Sequence, residues 1–301
     1  DIGEEARLKY RYLDLLRNRL QENLRLRSAC VEKIREFLLA RNFVDIETPL
    51  LTKSTPEGSR DFLVPSRLQP GKFYALPQSP QQYKQLFMIG GFERYFQIAR
   101  CIRDEDLRSD RAFEHTQVDI EMSFVTRENI TEFVEDMITT ISEYFGRSIK
   151  TKPFPVFTHK EALEKFSSDK FDLRTPAEKE GGVLAFAWVQ DFPLFEKTAD
   201  GSWTYSHNPF TGPHPSHEKK LRDREDIESI SSLQYDLVCN GYEVGGGGIR
   251  IHKADLLRNV FSIIGHSPET IERDFGHIIT ALQYGAPPHG GIALGLERIV
   301  M

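Results

Sequence analysis

An α+β fold is expected from this chain, with antiparallel strands backed by amphipathic helices. Between Arg94 and Phe124 two alternating segments flank a charged loop. In the second, Val118, Ile120, Met122 and Phe124 fall on one face and His115, Gln117, Asp119 and Glu121 on the other, and a period of two over that length specifies a strand. In the first, Phe96, Ile98 and Ile102 oppose Gln97, Ala99, Cys101 and Arg103. Asn240-Gly241, farther on, is the strongest short signal of a two-residue hairpin turn. Finally, Ile130, Phe133, Val134, Met137, Ile138, Ile141, Tyr144 and Phe145 form a helical stripe that stops at Gly146.

The chain has 301 residues, enough for a substantial core. With 28% charged and 39% hydrophobic residues, its composition is that of a soluble globular protein. No apolar run reaches membrane-spanning length, and the first residues are neither a signal peptide nor an Arg-rich transit peptide. Cys30, Cys101 and Cys239 are scattered, without the spacing of a zinc site or a disulfide framework. A net charge of −6 argues against general nucleic-acid binding and leaves room for a local basic path.

Residues 13–41 read as a helix, with Cys30, Ile34 and Leu38 spaced by four and Val31 and Phe37 beside them. Residues 43–49 (FVDIETP) follow as a strand ended by a proline. After the short strand KFYAL and the turn PQSP comes a helix, QQYKQLFMI, stopped by Gly90-Gly91. Gln81 and Lys84 share one face of its first turn. A lysine there opposes the helix dipole, so Lys84 makes better sense facing an anion. Residues 147–183 are proline-marked and weakly periodic and read as a connector. Residues 183–195 return to strand, and His207, His214 and His217 lie on a Pro-rich loop where metal binding is not expected. Helices are expected over about 254–264 and after Ser267-Pro268, a good N-cap and N1 pair. The chain closes with a strand, Gly295 and a helix start carrying Arg298, which places an arginine beside free helix N–H groups. It stops inside that apolar helix, as a trimmed fragment would.

If Asn240 and Gly241 make the turn, Cys239 pairs with Tyr242 and Val238 with Glu243. Asp236 then lies diagonal to Glu243 on one face, at about 7 Å. Two carboxylates at that range repel by about 2 kcal/mol at an effective dielectric of about 20. A divalent cation would remove this cost, and oxygen-only ligation suits magnesium; exposure to water would remove it too. The glycines 245–248 mark a bulge or a close backbone approach, not a dinucleotide fingerprint. On the central hairpin the competing reading is a solvated face. Such a face is usually Lys, Glu and Thr, unlike the guanidinium, imidazole, amide and carboxylates found here.

The ordered motifs NFVDIETPLLTKSTPEG, LPQSPQ, RDEDLRSDR, TQVDIE, NGYEVGGGG and GIALGLER resemble those of class II aminoacyl-tRNA synthetases, in the bacterial and mitochondrial aspartyl-tRNA synthetase version. The resemblance covers nearly the whole chain. It implies a single catalytic domain over 1–301, with a six-stranded antiparallel sheet flanked by helices, working as a homodimer joined near Pro49. The implied reaction joins aspartate to ATP as aspartyl-adenylate and pyrophosphate, then moves the aspartyl group to the 3′ end of tRNA(Asp). It implies that Arg103, Glu105 and Arg298 carry catalysis. Aspartate is expected at Glu57, Ser79, Gln81, Lys84, Arg103, Gln117, Asp119, His207 and Arg250, with Lys84 and Arg250 on its side-chain carboxylate and Asp119 and Gln81 at its amino end. ATP is expected at Arg103, Asp104, Glu105, His115, Glu243, Gly295, Leu296, Glu297 and Arg298, and Mg2+ at Asp236 and Glu243.

Four positions depart from the family pattern: His115 stands for a phenylalanine, Ala112 for a glutamine, Asn208 for a histidine and Gly248 for a serine. The imidazole at His115 is expected to stack on adenine with a pH dependence. The resemblance places the family's anticodon-binding barrel outside residues 1–301, and a short join from Arg174 to Asp191 stands where bacterial members carry a large inserted domain. The short join implies a mitochondrial matrix enzyme, with a bacterial cytoplasm as the alternative. Two competing functions are a related ligase, such as an asparaginyl enzyme, and a catalytically silent paralogue. Paired Lys84 and Arg250 argue against the first, and intact Arg103, Glu243 and Arg298 against the second.

Overall fold

The computed structural model describes residues 2–54, 59–107 and 112–301. The chain opens with helices α1 (Glu4–Lys9), α2 (Arg11–Asp14) and α3 (Asn18–Leu39), then strands β1 (Val44–Asp45), β2 (Leu63–Pro65) and β3 (Phe73–Ala75). Helix α4 (Gln81–Ile89) leads into the hairpin β4 (Arg94–Ile102) and β5 (Glu114–Ser123), followed by α5 (Arg127–Tyr144). Next come β6 (Val156–Thr158), α6 (His159–Phe166), α7 (Pro176–Glu180), β7 (Phe186–Gln190), β8 (Phe195–Lys197), β9 (Trp203–Tyr205) and α8 (Glu218–Asp223). The last part holds β10 (Gln234–Cys239), β11 (Tyr242–Ile249), α9 (Ala254–Ile263), α10 (Pro268–Gln283), β12 (His289–Gly295) and α11 (Leu296–Val300).

The main sheet corrects the expected six antiparallel strands. It has eight, in the order β1-β4-β5-β12-β11-β10-β7-β6, and it is mixed. The inner run from β4 to β7 is antiparallel, whereas β1 joins β4 and β6 joins β7 in parallel. Both parallel edges are two or three residues long, too short for a period-two pattern to register. The expected strand over 43–49 shrinks to β1, and the expected helix over 13–41 starts at Asn18 after two short helices. The supposed connector 147–183 is folded: it supplies the edge strand β6 and two helices, α6 and α7, each opened by a threonine capping box. Phe124 also leaves its expected strand face. It sits just past β5 with φ of 57° and is exposed, because the chain turns there toward α5.

Helices α3 and α5 cover one face of the sheet. Cys30, Ile34, Phe37 and Leu38 from α3 and Ile130, Val134, Met137, Ile138 and Ile141 from α5 pack on Phe96, Val118, Ile120, Leu237, Ile292 and Leu294. A capping box at Thr126 and Asn129 satisfies the first N–H groups of α5, worth about 1 kcal/mol. A second apolar core lies beneath α9 and α10, whose start is capped by Ser267 with Pro268 at N1. The opposite sheet face is polar. Across it runs the row Gln97, Asp119, Ala293, Gly246, Asp236, and beside that the row Tyr95, Glu121, Gly291, Gly248, Gln234. Small residues in the middle and long polar ones at the sides make a trough.

Candidate active site

Register fixes the two walls of the trough. In the hairpin, His115 pairs with Cys101, Gln117 with Ala99 and Asp119 with Gln97, as the alternation requires. At the other wall, Asn240 and Gly241 have φ of 54° and 91°, the left-handed pair that a tight I′-type turn needs. Cys239 pairs with Tyr242 and Val238 with Glu243. The register then slips: Leu237 faces Gly245 and Asp236 faces Gly246, leaving Val244 unpaired as a bulge. The simple diagonal placing Glu243 two positions from Asp236's partner is therefore corrected to three. Both carboxylates nonetheless open on the same cavity.

The floor is bare because wall side chains and neighbouring backbone already fill the space a Cβ would take. A Cβ on Gly246 would stand 2.8 Å from Asp236 Oδ1, and one on Gly291 would stand 2.2 Å from Glu121 Oε2. Over this floor lies a cavity of about 630 Å³, bounded by Ser79, Gln81, Lys84, Arg103, Gln117, Asp119, His207, Asp236, Glu243 and Arg250. Every described residue of the expected aspartate set lines it, and Glu57 lies outside the described residues. A second cavity of about 320 Å³ is bounded by His115, Gly295, Glu297 and Arg298, with Ala112 at its rim. The two share Arg103, Glu105, Gln117, Glu243 and Ala293.

Two members of the expected nucleotide set stand apart. The Leu296 side chain is fully buried in the apolar core behind the sheet, and the residue lines neither cavity. Asp104 lines neither cavity; it bridges by backbone to Arg60 and lies 3.7 Å from that guanidinium. Glu297 is held by Arg27 at 2.9 Å and accepts from the Thr116 N–H at 3.1 Å. Arg298 donates to the Glu243 carbonyl at 2.6 Å, tying α11 to β11. Arg103 donates from Nε to the Gln78 carbonyl at 3.2 Å, and Glu105 accepts from the Ser59 hydroxyl.

Glu121, to which the sequence pattern assigns no role, joins a buried charge cluster. Lys84 Nζ lies 2.5 Å from Asp119 Oδ1 and 3.1 Å from Glu121 Oε2. Arg250 reaches Glu121 through Nε at 3.0 Å and Nη2 at 3.3 Å. None of the four is more than 3% exposed. Two cations thus meet two carboxylates in a buried quartet, and the bidentate edge of Arg250 is already spent on Glu121. Burial pushes the Glu121 carboxyl up, but Arg250 and Lys84 outweigh it and hold it below its ordinary value. Lys84 does not reach out to solvent. Removing any one member would strand a buried charge.

On the far wall, Asp236 accepts from Gln234 Nε2 at 2.8 Å, and His207 Nε2 lies 3.5 Å from its other oxygen. Burial lowers the His207 proton affinity, but its bond to Asp236 outweighs that, so the ring titrates above its ordinary value. Burial pushes the Asp236 carboxyl up, with the nearby Glu243 adding to the shift. Glu243 is paired with Lys170 at 3.0 Å, a residue of the segment taken for a connector. Gln234 was legible as the next same-face position before Asp236; Lys170 had no sequence signal. Among the described residues no group of three or more metal-ligating side chains occurs. Two carboxylates are what magnesium uses when phosphates and water fill its other positions, so the donor set fits that ion. His214 and His217 bond to Ser216 and Ser231 instead.

The chain matches the family described as tRNA synthetases class II (D, K and N) over residues 3–301. The aspartate–tRNA(Asp/Asn) ligase of Rubrobacter xylanophilus is 38% identical, across all of this chain and 70% of its own length. The aspartate–tRNA(Asp) ligase of Deinococcus radiodurans is also 38% identical, across all of this chain and 72% of its own length. Among solved structures, the aspartyl tRNA synthetase from Entamoeba histolytica is similar with a TM-score of 0.74 at 26% identity, covering the whole chain and 59% of that protein.

Proposed function

Because the chain belongs to the class II tRNA synthetases of the D, K and N group, we propose that residues 1–301 form the catalytic domain of an aspartate–tRNA ligase. It activates L-aspartate with ATP and then passes the aspartyl group to the 3′ end of tRNA(Asp). The observation that carries this reading is the shared wall of the two cavities, where Arg103 stands between a polar pocket and a second one edged by His115 and Arg298.

An oxygen of the amino acid's α-carboxylate attacks the α-phosphorus of ATP. A new P–O bond forms, the bond to the β-phosphate breaks, and pyrophosphate leaves. Arg103 offsets charge at both reacting groups as it develops. Arg298 holds the nucleotide's far end, and His115 stacks on adenine. No side chain forms a covalent intermediate; orientation in adjoining pockets carries the rate. Bound Mg2+ would be held by Asp236 and Glu243 and would neutralise phosphate charge. The aspartate side chain meets Lys84 and the remaining Nη1 edge of Arg250, while its ammonium meets Gln81 and Asp119, with Ser79, Gln117 and His207 completing the pocket.

Pyrophosphate exchange with aspartate and asparagine side by side tests this function. Exchange with aspartate and little with asparagine supports it; the reverse order names the asparaginyl alternative, and no exchange with either names a silent paralogue. We further propose a homodimer through α3, β1 and the segment after Pro49, where Leu24, Leu39, Val44, Leu50 and Leu51 are exposed; a monomer in sedimentation at micromolar concentration would count against it. The short 174–191 join supports a mitochondrial matrix enzyme over a bacterial one, which imaging of the tagged protein in its own cells decides.

A further inference from the structure

Beneath the cavity runs a line of polar groups that begins at a carbonyl oxygen. The Pro287 carbonyl can only accept, and His289 Nδ1 lies 2.8 Å from it, so that nitrogen carries the hydrogen. In the neutral ring Nε2 is then bare. Gln85 Nε2 stands 3.2 Å from it and must be the donor. The amide of Gln85 is thereby oriented, with its oxygen toward Gln81, whose Nε2 lies 3.2 Å away. Gln81 donates in turn, which leaves its own carbonyl oxygen for the cavity that it lines. His289 and Gln85 are both fully buried, so no water can reset these directions.

We propose that His289 is a positioning residue that fixes the amide of Gln81 with its oxygen toward the cavity, so that the substrate's ammonium group meets an acceptor. This rests on the reading of aspartate above. A second proton on His289 would keep its bond to Pro287 and reverse the two bonds beyond it: Gln85 would turn its oxygen to the ring, and Gln81 would present N–H groups to the ammonium. The charged and titratable groups facing the ring are Glu121 on β5 and Arg250 and His252 beyond β11. Burial, helped by Arg250 and His252, keeps the second proton off against the pull of Glu121. His289 touches no substrate, and its effect reaches the pocket only through Gln85 and Gln81.

The test compares aspartate with succinate, which has both carboxylates and no ammonium. In wild-type exchange, KM for aspartate, KM for ATP and the inhibition constant of succinate are measured. In His289→Phe the ring shape remains but the acceptor is gone. KM for aspartate should rise about tenfold or more, the worth of one hydrogen bond to a charged group. KM for ATP and succinate inhibition should stay within about twofold, as uncoupled terms do. If His289→Phe does not fold, Gln85→Met breaks the same line with the ring in place and carries the same expectation. Equal weakening of aspartate and succinate, or an unchanged KM for aspartate, overturns the proposal. Failure of the wild type to exchange with aspartate overturns the underlying reading instead.

Discussion

Lys170 Nζ lies 3.0 Å from Glu243 Oε2, so a lysine from the α6–α7 segment already stands at one of the two carboxylates assigned to magnesium. Glu243 raises the proton affinity of Lys170 against the effect of burial, and the ammonium stays charged. A half-exposed pair of this kind is worth about 1 kcal/mol or less. Lys170→Met should therefore lower the magnesium needed for half-maximal exchange by about twofold to fivefold. Glu243→Gln should raise it. Magnesium titrations of the two variants check this, and equal dependence in both would remove the carboxylate from the metal site.

Amino-acid choice should follow the buried quartet. In Lys84→Met, Asp119 and Glu121 lose their shared cation, and an entering aspartate carboxylate meets excess negative charge. Aspartate activation should fall by a factor of about a hundred or more, while the neutral side chain of asparagine loses much less. Exchange rates with both amino acids give the ratio directly. A ratio unmoved from wild type would sink the role of Lys84.

Stability should depend on Glu121 even without substrate. Glu121→Gln leaves Lys84 and Arg250 with Asp119 alone, and breaking a buried pair costs about 3–5 kcal/mol. Urea unfolding followed by circular dichroism measures it. A loss under about 1 kcal/mol would mean that the quartet is far wetter than its burial implies.

The nucleotide pocket should be insensitive to mild acid. Burial, then Arg103, lowers the His115 proton affinity to a pKa of about 4. The folded value lies below the unfolded one of about 6.5. Its contribution to stability is thus complete above that unfolded value and is lost as pH falls toward the folded one. KM for ATP should stay flat from about pH 8 down to about pH 5.5, which corrects the expected pH dependence of stacking in the physiological range. His115→Phe should change KM for ATP by no more than about tenfold. A wild-type KM that climbs between about pH 7.5 and 6, but not in that variant, would show the ring titrating.

The longer helices and the two hairpins were legible because each repeats its period over many residues, whereas the short α1, α2, α6 and α7 were not. The helix from Gln81 to Ile89 matches the expected segment, and His115, Gln117 and Asp119 fall on the expected face. The edges of the sheet were not legible, because β1 and β6 are too short to show a period. The role of Glu121 was hidden for a different reason. Its partners Lys84 and Arg250 lie 37 and 129 residues away, and no local pattern reports charge neutralisation across a sheet. A bulge is one of the two readings of glycines 245–248, but its place at Val244 was not legible, because four successive glycines have no side chains whose alternation could locate the slip.

That slip gives β11 a parity. Glu243 and Gly246 look onto the same cavity although an odd number of positions separates them, because the unpaired Val244 absorbs one step and turns its side chain into the core. Before Val244 the strand turns the Glu243 carboxylate to the cavity and after it the bare glycine floor, so the two halves of the strand are read in different frames. Loss of that one residue would restore an unbroken alternation and rotate one half against the other. Glu243 would then face the core while the glycines kept their places, or the glycine floor would turn inward beneath Asp236. In this strand length is a harder constraint than identity: conservative replacements of Val244 should be tolerated where its deletion is not.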